Sequence, residues 1–156
     1  MNNNEQLRES FDAVETLLPD WLRERRALLT AYNKLITRIF NNPPSSEACH
    51  EQQIRLCELL IDYVSAGHFE VFVRLLEEAD NAHDGSTTLA AELLPAITDT
   101  TEVILAYEEK YMANASEDLR ERDISVLGET LESRFSLEDR LIAGLHNRHR
   151  RLMAPV

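Results

Sequence analysis

The sequence predicts an all-α protein, an antiparallel four-helix bundle with additional short helices. Apolar residues recur at three- and four-residue spacing through almost the whole chain, as in helices with one buried face. Leu, Glu, Ala and Arg are abundant, and all four favour helix. Only four glycines and five prolines punctuate 156 residues, too few for the turns of a strand-rich fold. With 44% hydrophobic residues the chain can bury a core. Its length suits one domain, expected over residues 1–150, with a flexible tail at 151–156.

Each element follows from a local pattern. Leu7, Phe11, Val14 and Leu18 form a first apolar stripe. Pro19-Asp20 is expected to interrupt it, because proline suits the first turn of a new helix. A long amphipathic helix then carries Trp21, Leu22, Leu28, Leu29, Tyr32, Leu35, Ile36 and Ile39. Asn41 to Pro44 (NNPP) stop it. Ser45-Ser46 can cap the next helix, whose buried face is Ile54, Cys57, Leu60, Ile61 and Val64. Gly67 suits its C-terminal boundary. Phe69, Phe72, Val73 and Leu76 restart the stripe to about Ala79, and NAHDGS reads as a loop. Thr87 or Thr88 can cap a helix with Leu89, Leu93 and Leu94, which Pro95 should kink or split. Ile97, Val103, Ile104, Tyr107 and Tyr111 carry it on. After ANAS, the last long helix displays Leu119, Val126, Leu127, Leu131, Phe135, Leu141, Ile142 and Leu145. Its polar end, HNRHRR, is expected to fray into solvent.

Charge narrows the function classes. The chain has 28 acids and 16 bases, for a net charge of -12. Residues 1–40 balance six against six, whereas residues 41–145 hold 22 acids against seven bases. So acidic a domain is repelled by nucleic acid and by anionic membranes, and attracts a basic partner. Cys49 and Cys57, eight apart, form no zinc or redox motif and read as reduced thiols of a cytoplasmic protein. MNNNEQLRES has neither a basic n-region nor an apolar h-region, so no signal peptide is expected there. No apolar run is long enough to span a membrane.

Three chemistries can be weighed on the residues. Asp62, Ser65 and His68 share one helix side, but a nucleophilic serine also needs an oxyanion hole, and no strand-to-helix elbow is present. Glu47-x-x-His50, Asp80-x-x-His83 and His146-x-x-His149 have metal-ligand spacing, yet sit at polar helix ends rather than in a core. No phosphate-binding glycine loop occurs. DWLRERR joins Trp21 to a basic cluster and reads as a core tryptophan beside an exposed arginine face. There remains a binding face of Asp62, Ser65 and Phe69, in which an aromatic anchors and a carboxylate fixes register. Periodicity alone places Phe69 in the core instead.

LLIDYVSAGHFEVF, ESRFSLEDRLI (132–142) with LHN (145–147), and DWLRERRALLTAY (20–32) resemble the Rsd/AlgQ family of bacterial regulators of the sigma-70 subunit of RNA polymerase. These segments follow one another in family order, and HFEVF and LHNRH are similar to the AlgQ-like members. The resemblance implies a non-catalytic anti-sigma factor without cofactor or metal. Its partner would be sigma-70, chiefly the basic helix-turn-helix of region 4, with no direct contact to nucleic acid or membrane. Binding would block region 4 from core polymerase and from the -35 element. By match to the signature, Asp62, Ser65 and Phe69 contact sigma, while Tyr63, Gly67 and His68 shape the same corner between two helices. Trp21, Arg25, Arg134, Phe135, Glu138 and Asp139 are further candidates. Alternatively they line a shared interior pocket, where Arg25 or Arg134 would pair with Glu138 or Asp139. Two other readings stay open: a ferritin-like metal-binding bundle, and an adaptor for a phosphotransfer or stringent-response protein.

Overall fold

The computed structural model describes residues 3–41, 47–113 and 120–153, and among these every regular element is helical. Helix α1 spans Asn3–Asn41, α2 Glu47–Ala66, α3 Phe72–Ala82, α4 Ser86–Met112 and α5 Arg120–Leu145. A π-helical segment, Gly67–Val71, joins α2 directly to α3. A short 3-10 turn, Asn147–His149, leads into α6, Arg150–Met153. The main packing pairs are α4 with α5, α1 with α2, α1 with α3, and α2 with α4.

Apolar periodicity finds the helices but misplaces several joints. Pro19 does not interrupt α1, and Pro95 does not split α4. Both prolines are exposed. The carbonyl four residues back, freed by the missing N–H, can therefore turn to water. The stripe on either side stays in the core: Val14, Leu18, Trp21 and Leu28 around Pro19, and Ala90, Leu93 and Ile97 around Pro95. Each large apolar side chain so buried contributes about 1.5–3 kcal/mol, enough together to offset one proline. The expected stop beyond Asn41, the Ser45-Ser46 cap, Leu119 and most of ANAS lie outside the described residues.

Nor is Gly67 a helix end or a corner. The backbone is right-handed helical at Ala66, Val71 and Phe72, so the chain runs through the segment as one rod with a wide turn. Glycine is required there by close approach: a Cβ would lie 3.0 Å from Trp21 Cζ2 and 3.4 Å from Phe72 Cζ. A π-turn holds one more residue than an α-turn, so it moves the buried stripe one residue on. The core side of the rod is accordingly Val71, Phe72, Leu75, Glu78 and Ala79. Val73, expected in the stripe, is exposed.

The true boundary follows α3. His83 adopts φ 50° and Gly85 φ 85°, left-handed conformations that reverse the chain. Gly85 is the N-cap of α4, so the cap is neither Thr87 nor Thr88, and the preceding Asp84 accepts the Ser86 N–H on its Oδ1 at 3.0 Å. At the other end, HNRHRR does not fray. His146 and His149 are wholly buried, and Arg151, Leu152 and Met153, expected in the tail, belong to α6.

Candidate functional site

The residues singled out in α2 and the π-segment divide into a surface and its support. Asp62 and His68 are exposed, Ser65 is half-buried, and Phe69 is 72% exposed. Phe69 is therefore no core residue: Gly67 faces Trp21, and two residues further on the wide turn the side chain points outward. The His68 ring stands edge-on to the Phe69 ring at 4.7 Å between centroids. No hydrogen bond joins Asp62, Ser65 and His68 among the described residues, so the triad geometry of a nucleophilic serine is not formed.

The stretch that bears this aromatic also bears two exposed carboxylates, Asp62 and Glu70. The Glu24 carboxyl of α1 is raised above its ordinary value, first by partial burial and then by Asp62, Glu70 and Asp20. Glu24 thus feels the charge of acids on α1, α2 and the π-segment. Asp20 pairs with Arg23, one turn along α1.

Tyr63 and Gly67 do not reach solvent. They form the support, which is a correction to their expected place on the contact surface. Tyr63 stacks on Trp21, with centroids 4.8 Å apart and planes 4° from parallel. Trp21 Nε1 donates to the Tyr63 carbonyl at 3.2 Å. Phe72 meets Trp21 edge-on, and Phe135 meets Tyr63 edge-on. The Tyr63 hydroxyl donates to Glu138 Oε1 and accepts from Arg25 Nε at 3.1 Å.

Behind the tyrosine lies a closed ionic network. Arg25 donates to Asp139 at 2.7 Å and to Glu138 at 3.0 Å, and its guanidinium covers the Phe135 ring at 4.8 Å. Arg134 Nε donates to Glu138 Oε2 at 2.9 Å. Its Nη1 donates to the hydroxyls of Thr100 and Thr101 at 3.2 and 2.6 Å. Arg134 and Glu138 are both wholly buried. Two guanidiniums thus face two carboxylates, the balance that buried charge requires. Burial pushes the Tyr63 hydroxyl up, and neighbouring Glu138 adds to it, so the tyrosine stays a proton donor.

A second buried network was not visible in the sequence. His146 Nδ1 lies 2.6 Å from Glu78 Oε1, and its Nε2 meets Glu15. His149 Nδ1 lies 2.6 Å from Glu78 Oε2, and its Nε2 lies 2.9 Å from Asp84. The run Glu15–His146–Glu78–His149–Asp84 ties the chain end to α1, α3 and the turn after α3. The signal was Glu78 itself, a carboxylate on the buried side of α3. The pairs Glu47/His50 and Asp80/His83 are exposed at helix ends. Among the described residues, no three His, Cys, Asp or Glu side chains cluster as a metal-holding group. Cys49 and Cys57 are free and buried, and burial pushes the Cys57 thiol up to about 11.

Together these features define a class: an all-helical protein with an exposed aromatic and exposed acids on a helical stretch whose base is internally paired. Within that class the chain belongs to the Rsd/AlgQ family, described as regulators of the RNA polymerase sigma-70 subunit, whose model matches residues 1–146. A protein named Regulator of sigma D from Pectobacterium carotovorum subsp. carotovorum (strain PC1) is 31% identical over 146 residues, covering 91% of this chain and 95% of the relative. A protein of the same name from Pectobacterium atrosepticum is 29% identical over 151 residues, covering 94% and 99%. Another, from Yersinia pseudotuberculosis serotype O:1b, is 29% identical over 146 residues, covering 91% and 86%. No solved structure matches the chain. No helix among the described residues is long and apolar enough to cross a membrane.

Proposed function

We propose that the chain is a non-catalytic, cytoplasmic anti-sigma factor that holds sigma-70 on the face of Asp62, Ser65 and Phe69. The observation that carries this reading is Phe69, a large aromatic 72% exposed on a stretch whose exposed acids, Asp62 and Glu70, act electrostatically on Glu24 of α1. Exposed aromatics on rigid supports are the usual anchors of protein interfaces. Carboxylates on such a surface select a cationic partner and speed encounter with it. A helix-turn-helix that grips DNA phosphates is such a partner. Region 4 of sigma-70 fits this chemistry, and covering it blocks its contacts with the -35 element and with core polymerase. Four long helices, read as an antiparallel bundle, give the face its stiffness, and His68 steadies the Phe69 ring.

Titration calorimetry of the purified chain against isolated region 4 tests the proposal. One-to-one binding that weakens steadily with salt is expected. Phe69→Ala should cost about 2 kcal/mol or more of binding, as hot-spot aromatics do, with an unchanged circular dichroism spectrum. Asp62→Ala should slow association and flatten the salt dependence. Absence of binding to sigma-70 at low salt, or full affinity in Phe69→Ala, would overturn the reading.

A further inference from the structure

The α1–α2 pair is electrically two-ended. Its Phe69 end is acidic. Its other end carries a surface trough of opposite character, made of two hollows of about 390 and 630 Å³ that share Thr30, Lys34 and Gln52. Ala27, Ala31 and Leu59 supply an apolar floor to the first hollow. Lys34, Arg38 and Arg55 supply the charge, and among the described residues no carboxylate lines either hollow. In a chain with 28 acids and 16 bases, such a stretch stands apart from its surroundings.

The cations are available to a partner. Lys34 is exposed and makes no ion pair among the described residues. Arg55 holds Glu58 only at 3.8 Å, with both side chains more than half exposed, an arrangement worth little in water. Arg38 is steadied by Gln52, with Nε donating to Oε1 at 2.9 Å, so its remaining guanidinium donors stay free for a carboxylate.

We propose that this trough is a second protein-binding site, taking an acidic amphipathic helix of a partner protein. The apolar floor would seat a leucine-sized side chain, and Lys34, Arg38 and Arg55 would meet the carboxylates flanking it. Length favours a peptide over a small anion. From Ala27 to Arg38 the trough runs along three turns of α1, roughly 17 Å at the helical rise. Helix-in-groove recognition uses this combination of recessed apolar floor and charged rim. The inference does not depend on sigma-70, because none of its residues belongs to the acidic face.

An NMR titration of the nitrogen-15-labelled full chain tests it. The probe is a synthetic helical peptide with leucines on one face and glutamates on the other, at physiological salt. Amide shifts confined to residues 27–38 and 52–59, saturating at one to one, are expected. Lys34→Glu combined with Arg55→Glu should weaken binding by on the order of tenfold or more. Ala31→Trp should fill the floor and remove it, and Thr30→Glu offers a second, exposed position should Ala31→Trp disturb the fold. Unchanged affinity after charge reversal would overturn the proposal, as would shifts spread elsewhere or absent at millimolar peptide. So would equal affinity for a leucine-to-serine peptide or for inorganic pyrophosphate, since the trough would then be a general anion surface.

Discussion

Glu138 and Glu78 are both wholly buried carboxylates on helices, yet they are held by different chemistry. Glu138 sits between two arginines and a tyrosine, whereas Glu78 sits between two histidines. A guanidinium cannot shed its proton in a protein, so the cations of the first network stay charged at every working pH, while burial pushes the Glu138 carboxyl above its ordinary value. An imidazole can, so the second is charged only on condition. The first network underlies α2, next to the π-segment that carries Phe69. The second fastens the chain end to α1 and α3. The difference teaches that the proposed binding face rests on cations that pH does not remove, while the C-terminal lock rests on cations that it can.

Removing the two carboxylates in turn is the largest way to break this comparison. Glu138→Ala leaves Arg134 wholly buried with a charge it cannot lose. Breaking such a pair costs about 3–5 kcal/mol of unfolding free energy, read by urea denaturation. Glu78→Ala should cost less near neutral pH, about 1–3 kcal/mol, because the two histidines can relax to neutral. Equal losses would mean that the histidines are no freer than the arginines.

Titration sharpens the contrast next. Burial alone would lower the His146 pKa, but Glu78 and Glu15 outweigh it and raise it above the ordinary value. A raised folded-state pKa gives stability that is complete below the unfolded value near 6.5 and is lost as pH climbs through the folded one. The stability gap between the natural chain and Glu78→Gln should therefore shrink as pH rises above the ordinary imidazole value near 6.5. The gap to Glu138→Gln should not shrink through histidine titration over that range. Asp84 sets an acid limit to the same lock. Burial pushes its carboxyl up, but Ser86 and His149 outweigh it and hold it at about 2. Its contribution is present above the usual carboxylate range near 3.9 and is lost as pH falls toward 2. A flat difference profile for Glu78→Gln would show that His146 does not govern the lock.

The two networks also differed in how far they could be read in advance. Arg25, Arg134, Glu138 and Asp139 were nominated together from the resemblance, and a buried charge needs its opposite, so their pairing was legible. His146 and His149 lie in HNRHRR, whose polar composition reads as a solvated end. Only the position of Glu78 on the buried side of α3 could have pointed to them, and that side depends on a register which the sequence conceals. The π-segment adds one residue between Gly67 and Val71 and so moves the stripe. Periodicity therefore put Phe69 and Val73 in the core, where Val71 and Leu75 belong. Pro19 and Pro95 misled for a related reason. Proline signals a break, but whether a helix survives depends on which side faces water.

Gly67→Ala tests that register with a smaller effect. The added methyl would meet Trp21 at 3.0 Å, tighter than ordinary contact, within a stacked aromatic set that has little room to give. A loss of about 1–3 kcal/mol is expected, as for overpacking generally, with a shift in the fluorescence of the single tryptophan. A neutral result would mean that the wide turn can relax away from Trp21, and that the glycine does not fix the outward aim of Phe69.

The smallest expected effect concerns the hydroxyl that links the exposed face to the permanent network. Tyr63→Phe keeps the ring between Trp21 and Phe135 and removes one donor to Glu138 and one acceptor for Arg25. Glu138 Oε1 keeps Arg25 and Oε2 keeps Arg134, so no charge is orphaned. The expected cost is about 1 kcal/mol, the net worth of a buried hydrogen bond whose partners remain satisfied. The variant should also lose little affinity for sigma-70, because Tyr63 presents no atom to the face and its ring still supports the helix. Loss of affinity out of proportion to stability would instead make the hydroxyl a positioning group, one that sets the helix rather than merely filling the core. That outcome would join the arginine network to binding directly, and would turn a structural contrast into a functional one.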